Sequence, residues 1–336
     1  MSATNVLFDL PSCVIREICL TWLSDARFKS VQLLDSAVCC KQLRPSLLET
    51  YQYMDWENFL VLSSGHEMTK KMKWSVARQI KPPKLAVSNF PHEPDLMKSF
   101  FQCSGKTLKV LRLTDFYGAM TGLTKIVARE CKLLETLCLE RCNLTVPIAD
   151  ILNQTATITE VRLQNRVQRY GRRRHYPRES QMKKSLLERI QCNTVTKLAL
   201  RDRLEVGDVD IVARAFPKVT HFEIMDPSPP LLSKFLAEYP SMECVRLVEI
   251  STLCSELISV VQGHGQVKSI QLQSSHRNMH MYLSLSMFRI LPMRSITITC
   301  DLNMLNGLRL IAEYSNVSLE VLKLDGYNVS TTPGDL

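Results

Sequence analysis

The strongest constraint on this chain is an aliphatic triplet, apolar-x-x-apolar-x-apolar, that returns about every 26 residues. Its clearest copy is Leu134, Leu137 and Leu139, continued by Cys142 and Leu144. Further copies are Leu108/Leu111/Leu113, Ile158/Val161/Leu163, Val195/Leu198/Leu200, Val219/Phe222/Ile224, Met242/Val245/Leu247, Val267/Ile270/Leu272, Met293/Ile296/Ile298 and Leu319/Leu322/Leu324, with a weaker first copy at Pro82/Leu85/Val87. Successive starts differ by 26, 26, 24, 37, 24, 23, 25, 26 and 26 residues. One long interval among nine marks an insertion of roughly 11 residues in an otherwise regular array.

The spacing dictates the unit. The last two apolar positions of each triplet are two apart, so they share one face of a short strand, and the residues between them share the other. Between strands, Leu123, Ile126 and Val127, or Leu231, Leu232, Phe235 and Leu236, recur at helical spacing. One strand and one helix cannot bury an apolar face alone, so neighbouring units must stack. The expected fold is α/β: a solenoid over residues 82–330, about ten repeats long, with a curved parallel sheet inside and helices outside. Composition permits it, with 45% apolar and 22% charged residues. Only 11 glycines are present, and neither G-x-x-x-x-G-K-[ST] nor G-x-G-x-x-G occurs, so phosphate-cradling loops are not expected.

The run Ala128-x-x-Cys131-x-x-Leu134-x-x-Leu137-x-Leu139-x-x-Cys142 resembles the cysteine-containing leucine-rich repeat. Cys192 stands at the place equivalent to Cys131, while Phe216, Tyr239 and His264 replace it in later copies. The cysteines at these places read as small buried hydrophobes. No C-x-x-C pair occurs among the 12 cysteines, so neither a zinc site nor a redox pair is expected. The first residues lack a basic-then-apolar export signal and no apolar run approaches a membrane span, so the expectation is a cytoplasmic or nuclear chain with free thiols, no membrane association and no cofactor. The four N-x-[ST] matches are then incidental.

Composition changes before the array: all three tryptophans precede residue 82. We divide this part into a helical head, 1–50, and a helical connector or cap, 51–81. Leu10-Pro11-Ser12 followed by Val14, Ile15, Ile18, Trp22 and Leu23 reads as an amphipathic helix with Ser12 at its N-cap. Two more short apolar stretches follow, at Val31–Val38 and Leu43–Leu48. So small a helical unit must dock on the array, on a partner, or on both. Leu10, Pro11, Val14, Ile15, Ile18, Leu23 and Val38-Cys-Cys-Lys41 resemble an F-box. In that family the Leu10-Pro11 and first-helix aliphatic positions would touch the Skp-type linker of a cullin–RING ubiquitin ligase. The alternative is a helical cap that closes the apolar end of the first repeat.

The net charge is +9, yet residues 166–184 alone hold eight basic and one acidic side chain. Arg166, Arg169, Arg172, Arg173, Arg174 and Arg178, with two tyrosines and a histidine, fill the long interval after Leu163. Such a basic loop can bind phosphates and stack on bases, bind acidic protein, serve as an import signal, or simply be a solvated charge run. On the inner strand face, a central column reads Ala86, Arg112, Cys138, Arg162, Ala199, Glu223, Arg246, Gln271, Thr297 and Lys323. Arg112, Arg162 and Arg246, with Lys197 and Arg201 beside them, form a candidate grip for an acidic peptide; the alternative is a solvated mixed-charge sheet, which Glu160 and Glu223 fit. No H-E-x-x-H, G-x-S-x-G or calcium-loop motif is present.

The resemblance implies a non-enzymatic adaptor: a substrate receptor of an SCF-type ligase, with a Skp-type linker on the head and a client protein on the array; the basic strand-face positions could suit an acidic client. The alternative is a structural subunit of a larger protein or ribonucleoprotein assembly. A third class is a nucleic-acid adaptor working through the basic loop.

Overall fold

The computed structural model describes residues 65–88, 93–116, 120–165, 184–249, 254–273, 295–299 and 321–325. The head positions Leu10, Pro11, Val14, Ile15, Ile18 and Leu23, and the basic-loop arginines Arg166 to Arg178, lie outside these residues.

The chain divides into two compact units at Ile158/Thr159. The first contains α1 (Gly65–Ala77), β1 (Lys84–Ser88), α2 (Pro94–Ser104), β2 (Val110–Thr114), α3 (Met120–Glu130), β3 (Thr136–Cys142) and α4 (Ile148–Gln154). Its strands pair in parallel in the order β1-β2-β3, and its helices pack α1 on α2, α2 on α3 and α3 on α4. The second contains β4 (Glu160–Asn165), α5 (Lys184–Leu187), β5 (Lys197–Leu200), a 3-10 turn (Val206–Asp208), α6 (Val209–Ala215), β6 (His221–Met225), α7 (Pro229–Glu238), β7 (Cys244–Val248), α8 (Cys254–Gly263), β8 (Ser269–Gln273), β9 (Ser295–Thr299) and β10 (Val321–Asp325). Its strands form one parallel series from β4 to β10.

Within each unit the triplets set the register. Leu111 lies opposite Leu137 and Leu113 opposite Leu139; Phe222 lies opposite Val245 and Ile224 opposite Leu247. These side chains are buried, and the residue between each pair sits on the other face. Their partners are the helical apolar stripes. In α7, Pro229 and Pro230 fix φ at the first turn and Ser228 caps it, its hydroxyl accepting from the Leu231 amide at 3.4 Å. The stripe Leu231, Leu232, Phe235 and Leu236 is buried, and the Phe235 ring lies 4.5 Å from that of Phe222. Burying a side chain of this size contributes about 1.5–3 kcal/mol. At the end of α2, Gly105 abuts the next helix: a Cβ there would lie 2.8 Å from Cβ of Glu130.

Two further regularities repeat in both units. At most of the described strand entries one carbonyl takes two amides from the next repeat: Lys109 O accepts from Glu135 and Thr136, at 2.7 and 3.0 Å, and Thr196 O accepts from Thr220 and His221, at 2.9 and 3.0 Å. Two residues past the last position of the triplet, the backbone turns left-handed at Asp115, Arg141, Asp226 and Glu249, with φ of 53°, 51°, 42° and 52°. Side chains pay for that conformation, and here it aims an amide at the neighbouring repeat, as Asp226 N to Val248 O at 2.8 Å and Glu249 N to Gln273 O at 2.8 Å. Asn165 occupies the equivalent place where the chain leaves β4 toward the basic loop, and there the acceptor changes. Its amide donates to both carboxylate oxygens of the fully buried Asp202, at 3.0 and 2.9 Å.

Among the described residues no helix is long and apolar enough to cross a membrane.

Candidate functional site

The polar strand face of the second unit concentrates its charge. Parallel pairing sets Arg162, Ala199, Glu223, Arg246, Gln271, Thr297 and Lys323 side by side in one column. A second column, two residues earlier in each strand, sets Glu160, Lys197, His221, Cys244 and Ser269 side by side. Strands in register bring like positions to about 4.8 Å of one another, so residues more than twenty apart in sequence become neighbours. Ala199 is the small member of the first column. A groove of about 270 Å³ opens on this face, and its lining includes Glu160, Arg162, Lys197, Ala199, His221, Glu223, Cys244, Arg246 and Gln271.

Glu223 organises the charge. Its side chain is 8% exposed; one carboxylate oxygen accepts from Arg201 Nε, and the other lies 3.4 Å from Arg246 Nη1. The two guanidiniums are 23% and 31% exposed. Arg246 Nη2 also donates to Gln273 Oε1 at 2.5 Å. A carboxylate this buried is tolerable only because it is paired on both oxygens. Arg162 donates through Nε to Glu160 Oε1 at 2.8 Å. Three of the cations expected to grip a ligand are therefore held by the protein's own carboxylates.

Lys197 differs from them. It is exposed, and among the described residues it has no ion-pair partner. Its charge is felt by its neighbours. Burial, then Lys197, hold the His221 imidazole below its ordinary range, against an opposing pull from Glu243. Burial pushes the Cys244 thiol up, and a hydrogen bond from Ser269 and the charges of Arg246 and Lys197 moderate the rise. The His221 Nδ1 and Thr220 Oγ1 are hydrogen-bonded at 2.9 Å.

Of the residues expected to form the grip, the structure brings Arg162, Lys197, Arg201 and Arg246 onto one face of the second unit. Arg112 belongs to the first unit, on β2 between Ala86 and Cys138. The triplet pattern alone did not single out His221, Cys244 or Gln273; aligning the strands at their aliphatic pairs finds them, because each falls at a fixed offset from its pair.

The thiols of the first unit do something else. Cys131 and Cys142 are fully buried, and burial pushes their thiols up to about 12 and about 11. Cys142 Sγ lies 3.3 Å from the carbonyls of Leu113 and Glu140, holding the end of β3 to the repeat before it. Cys192, Phe216 and Tyr239 are likewise buried at the places equivalent to Cys131, while His264 is only half-buried and its Nε2 lies 2.9 Å from Leu236 O. These cysteines are packing groups with a weak hydrogen bond, not nucleophiles.

No family model matches the chain, and no curated protein is significantly similar to it.

Proposed function

We propose that this chain is a leucine-rich-repeat adaptor that works by binding and carries no chemistry of its own. It would act as the substrate receptor of an SCF-type ubiquitin ligase. The observation that carries the interaction role is the polar strand face of the second unit: an in-register charge network with a groove beside it. Repeat proteins use strand faces of this kind to hold partners. Support for the ligase role comes from sequence: the F-box-like positions Leu10, Pro11, Val14, Ile15, Ile18 and Leu23 precede the repeats. On this reading the head holds a Skp-type linker and the second unit holds the client.

The test is affinity purification of the full chain from cells, followed by mass spectrometry of its partners. A Skp-type linker and a cullin should co-purify, and Leu10→Asp with Ile15→Asp should remove both while leaving client proteins attached. Recovery of one large assembly in fixed stoichiometry without ubiquitin machinery, or linker capture unchanged in the double variant, overturns the ligase reading.

A further inference from the structure

We propose that the groove of the second unit takes an extended acidic peptide segment of a protein partner, with Lys197 receiving a ligand carboxylate. This rests on the interaction role proposed above and deepens it by naming the ligand chemistry.

Most of the cations on this face are already engaged. Arg162, Arg201 and Arg246 are the obvious anion grips on this face, and each is paired with Glu160 or Glu223. A ligand carboxylate competing for them would have to displace a neighbour that is already placed and, for Glu223, already desolvated. Lys197 has no such occupant among the described residues, and its register neighbours are Glu160, held by Arg162, and His221. Lys197 lines the groove, and so does the small side chain of Ala199 two residues further along the same strand. Lysine is suited to this role as a compact charge on a long, adjustable stem.

The wider field agrees in sign. The groove lining carries Arg162, Lys197 and Arg246 against Glu160 and Glu223, and Arg201, bound to Glu223, adds a fourth cation against the same two carboxylates. Net positive potential in a recess attracts anionic ligands. Two carboxylates within the same face disfavour a continuous polyanion, and of the ring side chains in the lining Phe222 is buried toward α7, which leaves the half-buried His221 imidazole as the single stacking surface. A nucleic-acid strand is therefore a poorer fit than a peptide whose acidic side chains alternate with small polar ones. Gln271, in the same groove, offers an amide that can pair with peptide backbone.

The experiment uses the full chain and a short fluorescein-labelled Asp-Gly-Ser repeat peptide, read by anisotropy at low salt, with a Lys-Gly-Ser peptide as control. Saturable binding of the acidic peptide alone is expected. Lys197→Glu should weaken it about tenfold or more, and Lys197→Ala should weaken it by less in the same direction. Because the basic loop also attracts anions, a variant with Arg172, Arg173 and Arg174 changed to Ser is measured in parallel and should keep the Lys197-dependent binding. The proposal is overturned if both Lys197 variants bind like the parent, if the loop variant alone abolishes binding, or if a single-stranded oligonucleotide displaces the peptide and shows the same dependence on Lys197. Peptide binding without linker capture would sink only the ligase role; linker capture without peptide binding would sink only this inference.

Discussion

The two units build the same scaffold and dress it differently. Both bury paired strand aliphatics against helices, and both repeat the shared-carbonyl strand entry and the left-handed strand exit. Yet the column between the strand aliphatics reads Ala86, Arg112 and Cys138 in the first unit, whereas in the second it reads Arg162, Ala199, Glu223 and Arg246 beside a groove. Fixed contacts confine the apolar positions, and the positions between them stay open to vary. In the first unit a two-pronged ion pair lies at the strand exit: Arg141 grips Asp115 through Nε and Nη2 at 2.9 and 2.6 Å, with the guanidinium half in solvent. In the second unit Arg162 with Glu160, and Arg201 and Arg246 with Glu223, pair on the strand face, and the Glu223 carboxylate is buried.

If the apolar plan is common, core truncation must hurt both units alike. Leu137→Ala in the first and Phe235→Ala in the second are each expected to cost about 3–5 kcal/mol, measured by denaturant unfolding. A near-silent variant in either unit would break the shared plan. The charge networks should then separate the two. Glu223→Ala strands two half-buried arginines and should cost about 2–3 kcal/mol, whereas Asp115→Ala removes a solvent-screened pair and should cost under about 1 kcal/mol. Equal costs would erase the distinction drawn here.

How much of this was legible in the sequence follows from what sets each feature. The period fixed which strands would be neighbours in register, because a one-residue slip would turn Leu111 and Leu113 toward solvent. The helices around Leu123 and Leu231 were legible from their stripes. The pairing of Glu223 was not, because sequence places charges in columns without saying which arginine each carboxylate claims. Asp202 was not legible either: its role depends on the amide that Asn165 leaves exposed where the long interval begins. The head and the basic loop carry motifs whose geometry lies outside the described residues.

Asp202→Asn sharpens the comparison further. It leaves one of the two acceptor oxygens facing the Asn165 amide and swaps the other for a donor, so a loss of about 1–2 kcal/mol is expected from the second unit alone. The smallest effect at neutral pH concerns thiols. With Cys131 and Cys142 at about 12 and about 11, roughly one part in a thousand or less is thiolate at pH 8. Both should resist iodoacetamide until the protein unfolds. Because burial raises these thiols above their unfolded value near 9, the folded state holds protons that the unfolded state releases. That stabilisation is complete below pH 9 and should be lost as pH rises through the folded values.

The central claim is that parallel pairing stands equal positions of successive repeats side by side, so that Glu223, opposite Ala199, reaches Arg201 two residues further along the neighbouring strand and the two, 22 apart in sequence, act as one unit. A double-mutant cycle with Arg201→Met and Glu223→Gln, read by denaturant unfolding, tests it most directly. The account predicts a coupling energy of about 1–3 kcal/mol between the two changes; strictly additive effects, within about 0.3–0.5 kcal/mol, would contradict it.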